Sequence, residues 1–349
     1  MRHDWFMAAV LGVSMLAIAQ PPPKVINAQF RTEPAGAGLS ATVGRLQHSN
    51  GPLWLGYEVA GVPGSHFSVC SGDSESSPDD GCCGVYRLED SNNNFRSSDK
   101  HQTAESKINV LVRIDQGAVG KIRFIGTGCR LDVGGLTFIW LTDVNADDSV
   151  AWLSSLVLAD NKRRTDEALV AIAMHETAKA TNALEAFASS ANPLWLREKA
   201  GFWLGAGRGH DGLLALRKLA QDPDPEFRKK LTFDLSVNHD PDAVDDLIRM
   251  AREDKDIGVR EQAIFWVGQK ASKKAVATLK DTVENDPEVA VKKKAVFALS
   301  QLPKDEAVPE LLHVAQTNSD PAIRKDAIFW LGQTHDPRAL AYFEQILAR

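Results

Sequence analysis

The residues with the most distinctive chemistry are four cysteines confined to one part of the chain. Cysteine thiolates either hold zinc or oxidise to disulfides. Zinc is disfavoured because the sequence has no C-x-x-C spacing and no clustered histidines. In an exported protein we expect disulfides, and a bond between the two adjacent cysteines would be strained, so each should pair with a distant one. The adjacent residues are Cys82 and Cys83, and the distant ones are Cys70 and Cys129.

The first residues of the chain predict export. Residues 1–19 begin with a cationic stretch, continue with an apolar run of about 14 residues and end in Ala17-Ile18-Ala19, the pattern of a signal-peptide cleavage site. The run is shorter than the roughly 20 residues that span a bilayer. We expect a signal peptide, a periplasmic or extracellular location, and no membrane span in the mature chain. Residues 20–39, rich in proline, alanine and glycine, are interpreted as a linker.

A polar stretch over residues 71–106 carries carboxylates that could perform acid–base chemistry. They lie among eight serines, which favours a solvated loop, and a hydrolase site is the alternative. The motif Asp90-x-Asn92-x-Asn94 resembles the opening of a calcium loop. However, Phe95 stands where that loop needs glycine, and its final glutamate is missing, so no metal site is predicted. The carboxylates are Asp73, Glu75, Asp79 and Asp80.

Other catalytic patterns are missing from the sequence. There is no G-x-S-x-G and no H-E-x-x-H motif. The glycine-rich run at residues 205–209 lies between two predicted helices and follows no strand, so it does not fit a dinucleotide site. We therefore predict no catalytic residue and no cofactor.

The elements that must position the cysteines form a small, mainly-β domain over residues 40–160. Apolar and polar residues alternate over Ile108–Ile114 and Lys121–Ile125 with a turn between them, which predicts a hairpin. A helix is expected after Asp147 and Asp148, which are interpreted as its N-terminal cap. Further strands are predicted at Ser40–Leu46, Trp54–Val59 and Phe138–Leu141.

The second half of the chain, residues 161–349, repeats one pattern. Five segments carry phenylalanine at the same position, with spacings of 31, 32, 32 and 32 residues. A second apolar signal follows each of them after ten to fourteen residues, so each unit is predicted to be two helices. Such pairs cannot bury their apolar faces alone, and they are expected to stack into a solenoid with a sixth, degenerate unit at its start. The phenylalanines are Phe202, Phe233, Phe265, Phe297 and Phe329.

The pattern V-R-x-x-A-x-x-x-L/V-G in these units resembles the HEAT-repeat family, in particular the short repeats of bacteria and of phycobilisome lyases. The resemblance covers about residues 166–349. It implies an armadillo-like α-solenoid of about six helix pairs, and proteins of this kind mostly bind other proteins. In one unit the pattern stands as Val259-Arg260, Ala263 and Val267-Gly268.

A second resemblance concerns a metal. His175-Glu176 is similar to the His-Glu pairs of deoxyhypusine hydroxylase, an iron enzyme built on HEAT repeats. That enzyme needs several such pairs, and this sequence departs from the pattern, so no iron site is predicted. The corresponding turns read Asn238-His239-Asp240 and Thr334-His335-Asp336.

The repeated phenylalanine falls outside the core stripe of its own helix. On a helical wheel, Trp266 lies in the apolar sector and is interpreted as packing, whereas Phe265 lies among polar residues. Stacking the units lines the five rings along one surface. Either each ring packs against the neighbouring unit, or the row forms a concave ladder that binds a protein partner, with Lys293 and Lys325 beside it.

Composition and charge limit the possible functions. The chain has 349 residues and a formal net charge of −6, which argues against nucleic-acid binding. The basic clusters at helix starts, such as Arg228-Lys229-Lys230 and Lys292-Lys293-Lys294, are interpreted as solvated faces and turn contacts, and an anionic partner is the alternative. The predicted fold is therefore α+β, a small β-rich domain followed by an all-α solenoid. We expect an exported, monomeric scaffold for a protein partner, with an enzyme (lyase-like, or a hydrolase using the acidic loop) or a structural envelope protein as alternatives.

Overall fold

A computed structural model describes most of the chain outside its extreme N-terminus and the polar stretch of the first half. The predicted signal peptide and all four cysteines lie outside the described residues. The described ranges are 22–63, 67–68, 85–90, 96–97, 107–127, 130–158, 162–270 and 272–348.

The described residues of the N-terminal region form ten strands and two helices. Five strands form the main sheet, in the order β2-β10-β3-β7-β8, with β2 and β3 parallel to β10 and the remaining pairs antiparallel. A smaller parallel sheet has the order β1-β9-β5, and β4 pairs with β6. The elements are β1 Val25–Ile26, β2 Gln29–Pro34, α1 Leu39–Leu46, β3 Leu53–Ala60, β4 Phe67–Ser68, β5 Val85–Arg87, β6 Arg96–Ser97, β7 Lys107–Asp115, β8 Ala118–Gly126, β9 Arg130–Asp132, β10 Thr137–Thr142 and α2 Ala146–Val157.

The predicted hairpin is present as β7 and β8, with Val110 opposite Phe124. Its alternating residues divide the two faces of the sheet between two cores. One face, including Val110 and Val112, packs against helices. The opposite face, including Leu111 and Trp54, packs against the smaller sheet. Both faces of the sheet are therefore buried over much of its area.

Three sequence predictions in this region are wrong. Residues 20–39 are not simply a linker, because β1 and β2 lie within them and pair with β9 and β10. The predicted strand Ser40–Leu46 is part of helix α1, which buries side chains at the helical spacing of Leu39, Val43 and Leu46. Asn145, rather than Asp147 or Asp148, caps α2, since its side chain accepts hydrogen bonds from both of their backbone N–H groups.

Twelve helices follow in the described residues and form six antiparallel pairs. Aspartates cap several of them, and proline occupies the first helical turn after three of these caps, where its missing N–H costs no hydrogen bond. The helices are α3 Lys162–Met174, α4 Ala178–Ala188, α5 Leu194–Gly207, α6 Gly209–Leu219, α7 Pro225–Val237, α8 Ala243–Glu253, α9 Ile257–Gln269, α10 Lys273–Asn285, α11 Val289–Ser300, α12 Lys304–Thr317, α13 Pro321–Thr334 and α14 Pro337–Leu347.

The six pairs stack into two layers. The first helices α3, α5, α7, α9, α11 and α13 form one layer, in which each helix packs along its neighbour. The second helices form the other layer and pack mainly against the first helix of the next unit. Helix α3 also packs against β8, so a single apolar core continues from the sheet into the solenoid. The predicted architecture, a small strand-containing region followed by a helical solenoid of about six pairs, is confirmed.

Candidate functional site

The five repeated phenylalanines lie one above another on the first-helix layer. Phe202 stacks on Phe233 with ring centroids 6.1 Å apart, and Phe265 stacks on Phe297 at 6.4 Å. Their interplanar angles of 12° and 6° are those of parallel rings. The rings are joined by tryptophans at the other steps, so aromatic contact is continuous from α5 to α13. We call this row, with Trp203, Trp266 and Trp330, the aromatic ladder.

The tryptophans connect one stacked pair to the next. Trp266 lies 5.0 Å from Phe233 and 4.8 Å from Phe265, and Trp330 likewise joins Phe297 to Phe329. Tryptophan therefore follows every second phenylalanine for a packing reason, as predicted. Where the phenylalanines of two neighbouring first helices do not stack on each other, an indole ring lies between them.

Glycines permit the closer approach at the alternate steps. A methyl group on Gly205 of α5 would overlap the backbone of Asp234 in α7. On Gly268 of α9 it would lie 2.8 Å from the Cβ atom of Ala298 in α11. The residues that follow Phe233 and Phe297 are Asp234 and Ala298 instead of tryptophan, and each lies against one of these glycines. The array is therefore built from two-unit blocks, a close step alternating with a step that holds tryptophan.

The ladder is half-buried rather than fully buried or fully exposed. Phe233 keeps 37% of its surface exposed and Phe329 keeps 57%, while the other three phenylalanines are intermediate. Packing between units and solvent exposure therefore coexist in the same rings. The arrangement leaves a row of aromatic edges on the surface, and binding of a partner by that row stays a prediction.

Lysines border the C-terminal half of the ladder. Lys294 places its ammonium group 5.9 Å from the centre of the Phe265 ring and 5.7 Å from that of Phe297. Lys293 forms a salt bridge of 3.5 Å with Asp326, and Lys325 is exposed. The structure thus places the two sequence-predicted lysines next to the aromatic row, together with a third that lies over two rings.

An arginine–aspartate series links the turns below the ladder, and the sequence patterns did not predict it. Arg228 donates two hydrogen bonds of 2.8 Å to the carboxylate of Asp254, which belongs to the turn before the next unit. Arg197 and Asp222 repeat this pair at 2.7 Å, and Arg260 repeats it with an aspartate 26 residues later. Arg228 and Arg260 also donate to a carbonyl just before their own helix, and Arg197 donates to the carbonyl of Ala188 at the end of α4.

Burial opposes ionisation of Asp254, but the hydrogen bonds from Arg228 and from the backbone of Asp256, together with nearby positive charge, hold the pKa of that carboxyl below its ordinary value. At the fourth step lysine replaces the arginine, as Lys292, and an amide replaces the acid, as Asn318. The carboxylate and the forked guanidinium that it would bind are therefore absent together, and Lys292 donates to the carbonyl of Glu284 instead. The series therefore stabilises the stack, and these basic residues are turn contacts, as the sequence suggested.

Asp234 is the acid with the most unusual environment in the array. It follows Phe233 at a position where other units carry tryptophan or alanine, which is a signal that the sequence already offered. Burial, reinforced by the nearby Glu198, raises the pKa of Asp234 well above its ordinary value. Its Oδ2 atom faces Gly201 of α5 and has no hydrogen-bond partner among the residues that the structure describes. Because the side chain is closed off from solvent, it fits helix packing rather than acid–base catalysis.

His175 lies in a buried hydrogen-bond chain between the sheet and the first unit. Its Nδ1 atom is 2.7 Å from the carbonyl oxygen of Ala171, so this nitrogen carries the proton. Its Nε2 atom then accepts from the hydroxyl of Ser149 at 2.8 Å, and that hydroxyl accepts from Tyr57 at 2.7 Å. Burial lowers the pKa of His175 to about 4. A neutral histidine thus joins strand β3, helix α2 and helix α3.

Arg208 completes this junction from the glycine-rich run. Its guanidinium is buried and donates to the carbonyls of Ala173, His175 and Thr177 and to the hydroxyl of Thr181. These carbonyls belong to the end of α3 and the turn before α4, where the regular hydrogen bonds of a helix interior end. The run at residues 205–209 therefore has a structural function.

The candidate residues of the alternative functions lie mostly outside the described part of the chain. This holds for the four cysteines, for the acids of the polar loop (Asp73, Glu75, Asp79 and Asp80), and for Asn92 and Asn94 of the calcium-like motif. Within the described ranges, no three histidine, cysteine or acidic side chains are grouped as a metal site requires. The helices of those ranges include none with both the length and the apolarity of a membrane span.

Comparison with known proteins identifies the repeats. Residues 213–288 and 276–349 match the family model of HEAT repeats. No curated protein sequence matches the chain. The N-terminal region matches no family model.

Several solved structures are similar to part of the chain. One is the complex of CpcE and CpcF of phycocyanin lyase from Nostoc sp. PCC7120, with 23% identity, a TM-score of 0.34, and coverage of 44% of this chain and 99% of that one. Human deoxyhypusine hydroxylase has 19% identity, a TM-score of 0.26, and coverage of 57% and 77%. An archaeal HEAT-like repeat protein from Thermococcus onnurineus NA1 has 13% identity, a TM-score of 0.29, and coverage of 52% and 85%.

Proposed function

We propose that this protein, whose residues 213–349 are HEAT repeats, is an exported scaffold that binds another protein through the aromatic ladder. The observation that carries the proposal is the ladder itself, a continuous row of half-exposed aromatic rings bordered by lysines. Aromatic side chains supply most of the binding energy at protein interfaces, because they bury a large area and lose little conformational entropy.

The spacing of the helices supports the concave side as the binding face. Successive first helices pack along one another, whereas successive second helices barely touch. In a curved stack of two layers, the more closely spaced layer lies on the inside. The ladder belongs to this layer, so a partner would be surrounded by the curved surface.

The second-helix layer has a different surface. Among the described residues it carries more salt bridges between neighbouring units than the ladder layer does, such as Lys218 with Glu185, Arg252 with Asp281 and Lys280 with Glu310. Charged side chains already paired with each other are costly to desolvate at an interface. This layer is therefore the less suitable side for a protein partner.

Export is supported by the sequence of residues 1–19, with its short apolar run and Ala17-Ile18-Ala19. In an oxidising compartment the four cysteines would form disulfides, which would fix the polar stretch of the first half. N-terminal sequencing of the protein from its native envelope should begin at Gln20. Mass spectrometry without reduction should show no free thiol, and four free thiols would refute the disulfides.

Site-specific photo-crosslinking tests the binding face. A photoreactive amino acid is placed at Gln333, which lies one helical turn after Phe329 on the ladder side, or at Lys273 in the second-helix layer. Both side chains are exposed. Crosslinking in the native envelope should yield a defined protein adduct from position 333 and none from position 273.

The substitution Phe329→Ala is the matched test of the ladder. Because more than half of this ring is exposed, its loss should leave the melting temperature almost unchanged and remove the adduct from position 333. An adduct that forms equally from both positions, or that persists in Phe329→Ala, would show that the ladder is not the binding face.

A further inference from the structure

We propose that the C-terminal half of the ladder, from α9 to α13, binds an extended acidic peptide segment of the partner, whose bulky apolar side chains recur about every six residues. This inference rests on the proposed function and adds the chemistry of the partner. Two independent observations lead to it, the charge of the ladder face and the spacing of its tryptophans.

The charge of the ladder face is opposite to that of the chain. The positions three and four residues before each phenylalanine lie beside the rings, one turn earlier on the same helix face. These ten positions hold six lysines and three acids, although the whole chain has a formal net charge of −6. The lysines are Lys199, Lys229, Lys230, Lys293, Lys294 and Lys325, and the acids are Glu198, Glu261 and Asp326.

Ion pairs neutralise the N-terminal part of this face more than the C-terminal part. Lys199 pairs with Asp166 and Lys230 with Glu198, at 2.6 and 3.7 Å. At these positions α9, α11 and α13 hold three lysines and the two acids Glu261 and Asp326, and only one of the lysines, Lys293, forms a salt bridge among the described residues. The two lysines without a salt bridge lie next to Phe297 and Phe329, where an acidic segment would be attracted.

The lysines also remain accessible to a ligand. Lys294 lies over two stacked rings, which holds its ammonium group on the ladder without pairing it with an anion. Lys325 is exposed one turn before Phe329. A carboxylate of the ligand could approach both groups while an apolar side chain of the same ligand rests on the rings.

The tryptophans set the spacing of the apolar side chains. Trp266 and Trp330 occupy equivalent steps, each between two phenylalanines, and they are two units apart. With roughly 10 Å between packed helices, equivalent steps lie about 20 Å apart. An extended chain advances about 3.3 Å per residue, so six residues cover this distance. Six is an even number, so both side chains point to the same face of the extended segment.

Synthetic peptides test this chemistry on the full chain. Three fluorescein-labelled peptides of about twelve residues are compared by fluorescence anisotropy. The first is rich in aspartate and glutamate and has two phenylalanines six residues apart. The second has the same composition with the phenylalanines three apart, and the third keeps the six-residue spacing but has lysine in place of every acid. We expect the first peptide to bind, the second to bind at least tenfold more weakly, and the third not to bind.

Charge-reversal variants locate the site. Lys294→Glu and Lys325→Glu should each weaken binding of the first peptide about tenfold and reduce its dependence on salt. Lys273→Glu makes the same change of charge on the second-helix layer and should leave binding unaltered. The melting temperature of each variant is measured, so that loss of folding is not mistaken for loss of binding.

Several results would refute the proposal. These are equal binding of the first two peptides, binding of the basic peptide, an equal effect of Lys273→Glu, or helical circular dichroism of the bound peptide. If the peptides fail while the adduct at position 333 still requires Phe329, the scaffold function stands and only the partner chemistry is wrong. If the adduct instead forms equally from positions 333 and 273, or persists in Phe329→Ala, the proposed function itself fails.

Discussion

At its N-terminal end, the helical array is covered, because α3 packs against β8 and its last turn is held by Arg208 and the chain from Tyr57 to His175. At the end formed by α13 and α14, the repeat residues have no following unit over them in the described structure. Leu340 and Leu347 are exposed there, although their counterparts in α12, Val308 and Ala315, are buried. Equivalent residues are thus buried inside the array and exposed at its C-terminal end.

The comparison shows that a repeat motif has no fixed energetic value. Arg228 and Arg324 occupy the same position in their units, but only Arg228 has an aspartate from a following unit as its partner. Gly205 and Gly332 are equivalent in the same way, and only Gly205 lies against a neighbouring helix. The contribution of each residue to stability depends on whether a following unit packs over it. Substituting equivalent residues inside the array and at its C-terminal end can therefore measure how much the following unit contributes.

The largest expected effect comes from the buried ion pair. Arg228→Ala leaves the carboxylate of Asp254 buried without its partner, which should lower the free energy of unfolding by about 3–5 kcal/mol at neutral pH. Arg324→Ala removes hydrogen bonds to two carbonyls only, so it should cost about 1 kcal/mol. Urea denaturation followed by circular dichroism measures both values. Equal losses in the two variants would show that the following unit contributes nothing at this position.

Much of the helical half was predictable because its information is local and repeated. Five copies of one pattern fixed the helix pairs and the off-core position of each phenylalanine, such as Phe265. The N-terminal half has no such redundancy, and α1 was mistaken for a strand although Leu39, Val43 and Leu46 have helical spacing. The strands β1 and β2 were missed because their partners, β9 and β10, lie about a hundred residues later in the chain.

The candidate site divides in the same way. The aromatic row and its lysines follow from the repeat period, so they were predicted from sequence. The pair of Arg228 and Asp254 was not, because the two residues belong to different units and each resembles an ordinary surface charge. The interaction of His175 with Ser149 could not be predicted either, since it depends on how the sheet meets the first unit.

The N-terminal end of the array should also make the stability of the chain depend on pH. Burial lowers the pKa of His175 to about 4, against about 6.5 in an unfolded chain. The unfolded state therefore binds more protons between these values, and stability falls as the pH drops from 6.5 to 4. The full difference amounts to about 3 kcal/mol.

The readout is the free energy of unfolding of the wild-type chain and of His175→Gln, measured at pH 7, 6, 5 and 4. Glutamine retains an acceptor for the Ser149 hydroxyl and has no group that titrates. The wild-type chain should lose stability faster than the variant as the pH falls, by an amount that approaches about 3 kcal/mol. Parallel curves for the two proteins would mean that this histidine does not stay neutral in the folded state.

The smallest effects are expected from the matched glycines, and they should have opposite signs. Gly205→Ala introduces a methyl group that overlaps the backbone of Asp234, so α5 and α7 must move apart, at a cost of about 1–3 kcal/mol. Gly332→Ala meets no atom within 4 Å and gains helix propensity, which should stabilise the chain by up to about 1 kcal/mol. Thermal and urea denaturation of both variants measure the difference. If Gly332→Ala were destabilising to a similar degree, then a surface packed against α13 in solution would be the physical reason, and the contrast between the two ends would be lost.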